Sequence, residues 1–87
     1  MIYIRRVVGR SMLPTLRPGQ LCLFLKSKDP NVRTVVLAKT PEREVVKRLY
    51  DADGQYLLRG DNREETTDYP VRNGVEIVGK LIWPWPK

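Results

Sequence analysis

Along this chain short apolar runs alternate with turn residues, a pattern that predicts strands rather than helices. Alternating or continuous apolar stretches fall at residues 2–8, 21–25, 34–38, 44–50, 56–58 and 75–83. Residues 21–25 are apolar throughout, which predicts a strand buried on both faces. Between the runs, Arg17-Pro18-Gly19-Gln20 suits a type II turn, with proline presetting φ and glycine supplying φ > 0. Lys28-Asp29-Pro30-Asn31 and Asn73-Gly74 mark further turns, and Asp53-Gly54 between two apolar runs signals a hairpin. Six short strands so punctuated predict an all-β fold over residues 1–87, a small folded sheet or partly open barrel in one domain. The ending Trp83-Pro84-Trp85-Pro86 cannot extend a ladder, because proline lacks the amide hydrogen.

Side-chain alternation in the fourth run puts Val45, Lys47 and Leu49 on one face and Val46, Arg48 and Tyr50 on the other. Lys47 is therefore flanked by apolar neighbours on its own side. A strand lysine more often faces solvent, so this placement is an opening for chemistry rather than proof of it.

Composition narrows the chemistry. At 41% apolar and 30% charged residues the chain reads as globular. The net charge of +6 would suit a nucleic acid, an acidic partner or an anionic membrane surface. Its basic residues are scattered, with Arg5 and Arg6 adjacent but no basic arm, so no nucleic-acid partner is expected. A basic nucleic-acid-binding β-barrel stays as the rival from another class, one whose binding would weaken steeply with salt. There is no histidine and one cysteine, which removes histidine-based triads, the common zinc sites and an internal disulfide. No metal and no cofactor are predicted. Cys22 lies within an apolar run and reads as a small buried hydrophobe. Asp61, Glu64, Glu65 and Asp68 lack calcium-loop spacing and read as a solvated loop. The longest apolar run is too short for a membrane span and no signal-peptide pattern opens the chain. A soluble, cytoplasmic protein is expected. Basic charge with Trp83 and Trp85 keeps open a peripheral membrane contact, although tryptophans in small domains more commonly cover the core.

Without histidine, a serine nucleophile needs another base. Ser11, in Val8-Gly9-Arg10-Ser11-Met12-Leu13-Pro14-Thr15-Leu16, is the candidate nucleophile and Lys47 the candidate base. Lysine accepts a proton only when neutral, and burial favours the neutral form. Gly9 permits close approach of a backbone, and Pro14 biases Leu13 toward an extended conformation.

Taken in order, Gly9-Arg10-Ser11-Met12-Leu13-Pro14-Thr15-Leu16, Val46-Lys47-Arg48, Gly60-Asp61-Asn62-Arg63, Asp68 and Val78-Gly79-Lys80 resemble the motifs of type I signal peptidases. The same clan includes self-cleaving repressors of the LexA type. The resemblance runs from about residue 7 to residue 82. It implies a serine endopeptidase with Ser11 as nucleophile, Lys47 as general base and the Ser11 amide as an oxyanion donor. Gly9 stands where some members carry a serine as second donor. Thr66 stands where a hydroxyl often bonds the lysine. Met12, with Leu13 and Pro14, would wall the substrate groove, and Gly60, Asp61, Asn62 and Asp68 would support the site.

Departures from the pattern include Gln20 in place of an aspartate, and Tyr69-Pro70 after Asp68. The latter leaves the partner of Asp68 open, with Arg72 nearby in sequence. Only ten residues precede Ser11, and twelve separate Lys47 from Gly60, so no anchor or inserted subdomain is expected. No helix-turn-helix and no Ala-Gly segment is evident, which weighs against a repressor. The chain is similar to short anchorless relatives such as the proteases that remove a leader from nickel superoxide dismutase precursors. The implied partner is a precursor protein or peptide, and the implied act is removal of its leader or propeptide. A catalytically silent relative that holds a peptide is the alternative.

Overall fold

The computed structural model describes residues 1–84. It contains β1 (Ile2–Arg6), β2 (Leu21–Lys26), β3 (Val35–Lys39), β4 (Glu44–Ala52), β5 (Gln55–Arg59), β6 (Tyr69–Pro70) and β7 (Glu76–Trp83). These form one antiparallel sheet in the order β1-β2-β7-β3-β4-β5-β6. The fold is all-β, and the sheet is not closed into a barrel.

The core is organised about the central strand β3, whose Val35 to Ala38 are all buried. Alternation divides them. Val35 and Leu37 join Val7, Met12, Leu16, Cys22, Phe24 and Leu81 on one side. Val36 and Ala38 join Val45, Leu49, Leu58 and Ile77 on the other. Apolar residues at consecutive positions of β3 thus serve two clusters. Phe24 is fully buried, which at typical transfer energies stabilises the fold by about 2–3 kcal/mol.

Turn chemistry sets the strand ends. Gln20 N–H donates to the Arg17 carbonyl at 3.0 Å with Gly19 at φ +82°, as a type II turn requires. Asp53 and Gly54 both take positive φ, the geometry of a type I′ hairpin joining β4 to β5. The first strand ends at Arg6 rather than at position 8. Val7 still exchanges hydrogen bonds with Gly19 and Gln20, whereas Val8 is 90% exposed.

Other expectations need correcting. The run at 21–25 is buried on one face only: Cys22 and Phe24 point inward, while Leu21 and Leu25 are each 37% exposed. Leu21, Leu23 and Leu25 alternate onto the other face, which neither core cluster covers. Strand β6 was not expected, since Pro70 cannot donate to a ladder; it forms at the far edge, where a proline is tolerated. Trp83 covers no core and is 51% exposed, while Trp85 and Pro86 lie outside the described residues. Among the described residues no helix is long and apolar enough to cross a membrane.

Candidate active site

Pairing is incomplete where it matters. β5 meets β4 only from Arg48 onward, so residues 44–47 have β3 on one side and no strand on the other. β1 likewise pairs only with β2. Residues 5–11 and 43–47 are the two walls of a cavity of about 470 Å³, within the usual range for ligand sites. Ser11 and Lys47 both line it. An ion pair joins its walls: Arg5 Nε donates to Glu44 Oε1 at 2.7 Å. Each wall thus presents a strand edge that pairs with no other strand among the described residues.

Lys47 is 6% exposed and, with Thr40, is one of two buried polar residues among the described residues. It faces Val36 across the β3/β4 ladder, so its stem lies in apolar surroundings. Its ammonium donates to Thr66 Oγ1 at 3.3 Å and lies 6.0 Å from the Tyr69 ring centre. Burial pushes the lysine below its ordinary value, and the Arg43 charge adds to this. Asp68 pulls the other way, but its carboxylate is engaged by Arg59, with Nη2 to Oδ2 at 2.8 Å. Thus the partner of Asp68 is Arg59 rather than Arg72. A neighbouring cation in that position blunts the influence of Asp68, and burial prevails.

The serine is held by its backbone. Asn62 N–H donates to the Ser11 carbonyl at 2.8 Å and Asn62 Nδ2 to the Arg10 carbonyl at 3.0 Å. Gly60 packs so closely that a Cβ there would lie 2.3 Å from the Ser11 carbonyl oxygen and 2.5 Å from Thr66 Oγ1. Only glycine fits. Gly60 N–H also donates to Thr66 Oγ1 at 2.8 Å, so one hydroxyl ties the Gly60 turn to the Lys47 amine. Asp61 accepts from Arg48 Nε at 2.9 Å and Nη2 at 2.8 Å, and also from the Thr15 hydroxyl. Burial pushes its carboxyl upward, but the bonds from Arg48 and Thr15 outweigh this and hold it low. Asp61 and Asn62 therefore hold the segment carrying Ser11, and Gly60 packs against it.

Ser11 lines the cavity, and among the described residues its hydroxyl makes no hydrogen bond, none to Lys47 included, whose amine bonds Thr66. Gly9 takes φ +80° ahead of Ser11, a left-handed backbone suited to glycine, with open space where a side chain would be. Met12 is buried in the core at 1% exposed, Leu13 is half-buried and Pro14 exposed. None of these last three lines the cavity, whose walls come from 5–11 and 43–47 instead. Cys22 is fully buried, and burial pushes its thiol up, away from reactivity.

An open antiparallel sheet thus brings a buried lysine and the loop carrying Ser11 to one cavity. The chain matches the Peptidase S24-like family over residues 1–82 and belongs to that family. Among its relatives are LexA repressors of Lactobacillus johnsonii and Lactobacillus gasseri, each 31% identical over 83 residues. The aligned part is 93% of this chain but 39% of each relative's length.

Proposed function

We propose that this chain is a serine endopeptidase that cuts an extended segment of a precursor protein, removing a leader or propeptide. The observation that carries this reading is Lys47: a buried amine, held by a hydroxyl, in the same slot as Ser11. Ser11 Oγ attacks the scissile carbonyl carbon while its proton passes to neutral Lys47 Nζ. The Ser11 amide donates to the oxygen as negative charge develops there. The lysine then gives that proton to the departing amine, leaving an ester on Ser11. Water, deprotonated by the same lysine, hydrolyses the ester. Thr66 keeps the amine pointed, and Asn62 and Gly60 keep the serine backbone in place.

The test is mass spectrometry of a diverse peptide pool incubated with the wild type, Ser11→Ala and Lys47→Met at neutral and alkaline pH. Cleavage by the wild type that both substitutions abolish supports the reading, and the cut sites give the preference. No cleavage by folded wild type sinks it in favour of a silent peptide-holding relative, and cleavage that survives in Ser11→Ala sinks it by removing Ser11 as the nucleophile. The names of the two relatives favour a second reading, a role within a repressor. The intact mass of the protein after alkaline incubation separates the two, since a self-cutting chain shortens without added substrate.

A further inference from the structure

Of the arginines lining the slot, Arg43 is the one that makes no side-chain hydrogen bond or ion pair among the described residues. The slot's carboxylates are Glu44 and Glu65, and both are engaged: Glu44 with Arg5 at 2.7 Å, Glu65 with Arg10 at 3.0 Å. Arg6 turns its guanidinium to the Gly19 carbonyl at 2.9 Å. Arg43 also lines the slot, yet its guanidinium has no hydrogen bond or ion pair among the described residues.

Its backbone, by contrast, is fixed. Thr40 Oγ1 accepts from the Arg43 N–H at 3.2 Å and donates to the Arg43 carbonyl at 2.9 Å, and the Thr40 N–H reaches the same carbonyl at 2.8 Å. Thr40 is itself buried at 9% exposed. A rigidly mounted arginine so unpartnered, facing a peptide-sized slot, is a preorganised anion contact.

Position sharpens the ligand. Val45 and Lys47 share one face of β4 by alternation, and Arg43, exposed just before the strand begins, lines the same cavity. A strand added along residues 44–47 runs residue for residue beside β4. Continued in extended form past the start of β4, its residue level with Arg43 is four positions from the one opposite Lys47, roughly 13 Å away.

We infer that Arg43 is a specificity residue that selects a substrate bearing a carboxylate side chain about four residues from the one lying beside Lys47. This rests on the peptidase reading for what happens after binding, but the selection itself is a property of the slot. It also explains why a slot rich in arginine leaves this one without an internal partner.

Binding is measured with Ser11→Ala, so that no turnover intervenes. The probes are N-acetylated, C-terminally amidated extended peptides in which a single Glu is walked along the sequence, with Gln and Lys counterparts. Amidation removes the terminal carboxylate as a competing source of charge. A further set with a free C-terminus and no Glu tests that source directly. The expected result is one register at which Glu binds roughly five- to tenfold tighter than Gln, a margin that added salt erodes. Adding Arg43→Glu to Ser11→Ala should reverse the order, so that the Lys peptide binds best. Lys28→Glu, an exposed charge change of the same size outside the slot, should leave the preference intact.

Equal binding of Glu and Gln peptides in every register overturns the inference. So does an equal loss in the Arg43→Glu and Lys28→Glu backgrounds, which would mean general attraction to a basic protein. A preference only for the free C-terminus transfers the contact to a terminal carboxylate and overturns the side-chain assignment. Selective binding without cleavage by the wild type would leave Arg43 standing and remove the peptidase reading.

Discussion

In the proposed reaction Lys47 must be both buried and a base, and the same physics meets the two demands. Desolvation disfavours the ammonium, so the amine is available below the ordinary lysine value of 10.5. Cleavage should rise with pH through the lowered value and then level off, with the chemical step rate-limiting. A profile flat from neutral to alkaline pH would remove Lys47 from the role. The same shift predicts stability. In the folded state the proton leaves at lower pH than in the unfolded chain, so between the two values the unfolded state binds more protons and stability rises with pH. Below that window the full cost of a buried ammonium is present. Lys47→Met should therefore abolish cleavage yet raise the melting temperature at neutral pH, by roughly 4–8 °C for each kcal/mol relieved. That gain should shrink as pH approaches 10.5. Gly60 gives the opposite outcome. A Cβ at 2.3 Å from the Ser11 carbonyl oxygen must displace one or both backbones. Gly60→Ala should cost about 1–3 kcal/mol in urea unfolding and most of the cleavage rate, because the displaced groups carry Ser11 and Thr66.

Among the elements, the turn after β5 and the first half of β4 do most to build the site. The half-buried pair of Arg48 and Asp61 ties β4 to that turn, and Thr15 extends the tie to the serine loop. Asp61→Ala removes the half-buried carboxylate that both Arg48 and Thr15 bond. We expect a loss of about 2–4 kcal/mol, with cleavage falling further than the fraction unfolded accounts for. If activity tracks the folded fraction alone, the turn is only a structural brace. Strand existence was legible from the sequence because the alternating runs and the Pro18-Gly19 and Asp53-Gly54 turns are local signals. The placement of Lys47 on the face of Val45 and Leu49 was legible for the same reason. The walls of the slot were not. They depend on where β5 stops pairing with β4, a register that no local pattern encodes, and so Met12, Leu13 and Pro14 were expected on a cavity they do not line. The ion partners of Asp61 and Asp68 were equally hidden, since a carboxylate in a loop has the same local signature whatever it meets. Arg43 is the extreme case: in sequence it is one scattered charge among many, and only the engaged carboxylates around it make it distinct.

For the whole molecule, β3 decides how the fold fails. It contributes alternate side chains to both hydrophobic clusters, so neither cluster can be assembled without ordering the strand that the other also needs. A chain of 87 residues has little stability to divide between independent units. Phe24→Ala removes the largest side chain of the first cluster and Leu58→Ala a fully buried one of the second. Large-to-small changes at such sites cost about 3–5 and about 2–5 kcal/mol respectively. Were the clusters separate, Phe24→Ala would melt the β1 and β2 side while β4 and β5 stayed folded around Lys47. Shared through β3, each change should instead shift a single cooperative transition, with far-ultraviolet circular dichroism and tryptophan fluorescence coincident in urea. Noncoincident curves in Phe24→Ala would show two units, and the clamp on Ser11 would then be expected to loosen before the lysine pocket opens. Coincident curves mean that serine and lysine are held by one folding event, so any substitution deep in either cluster lowers cleavage through the folded population.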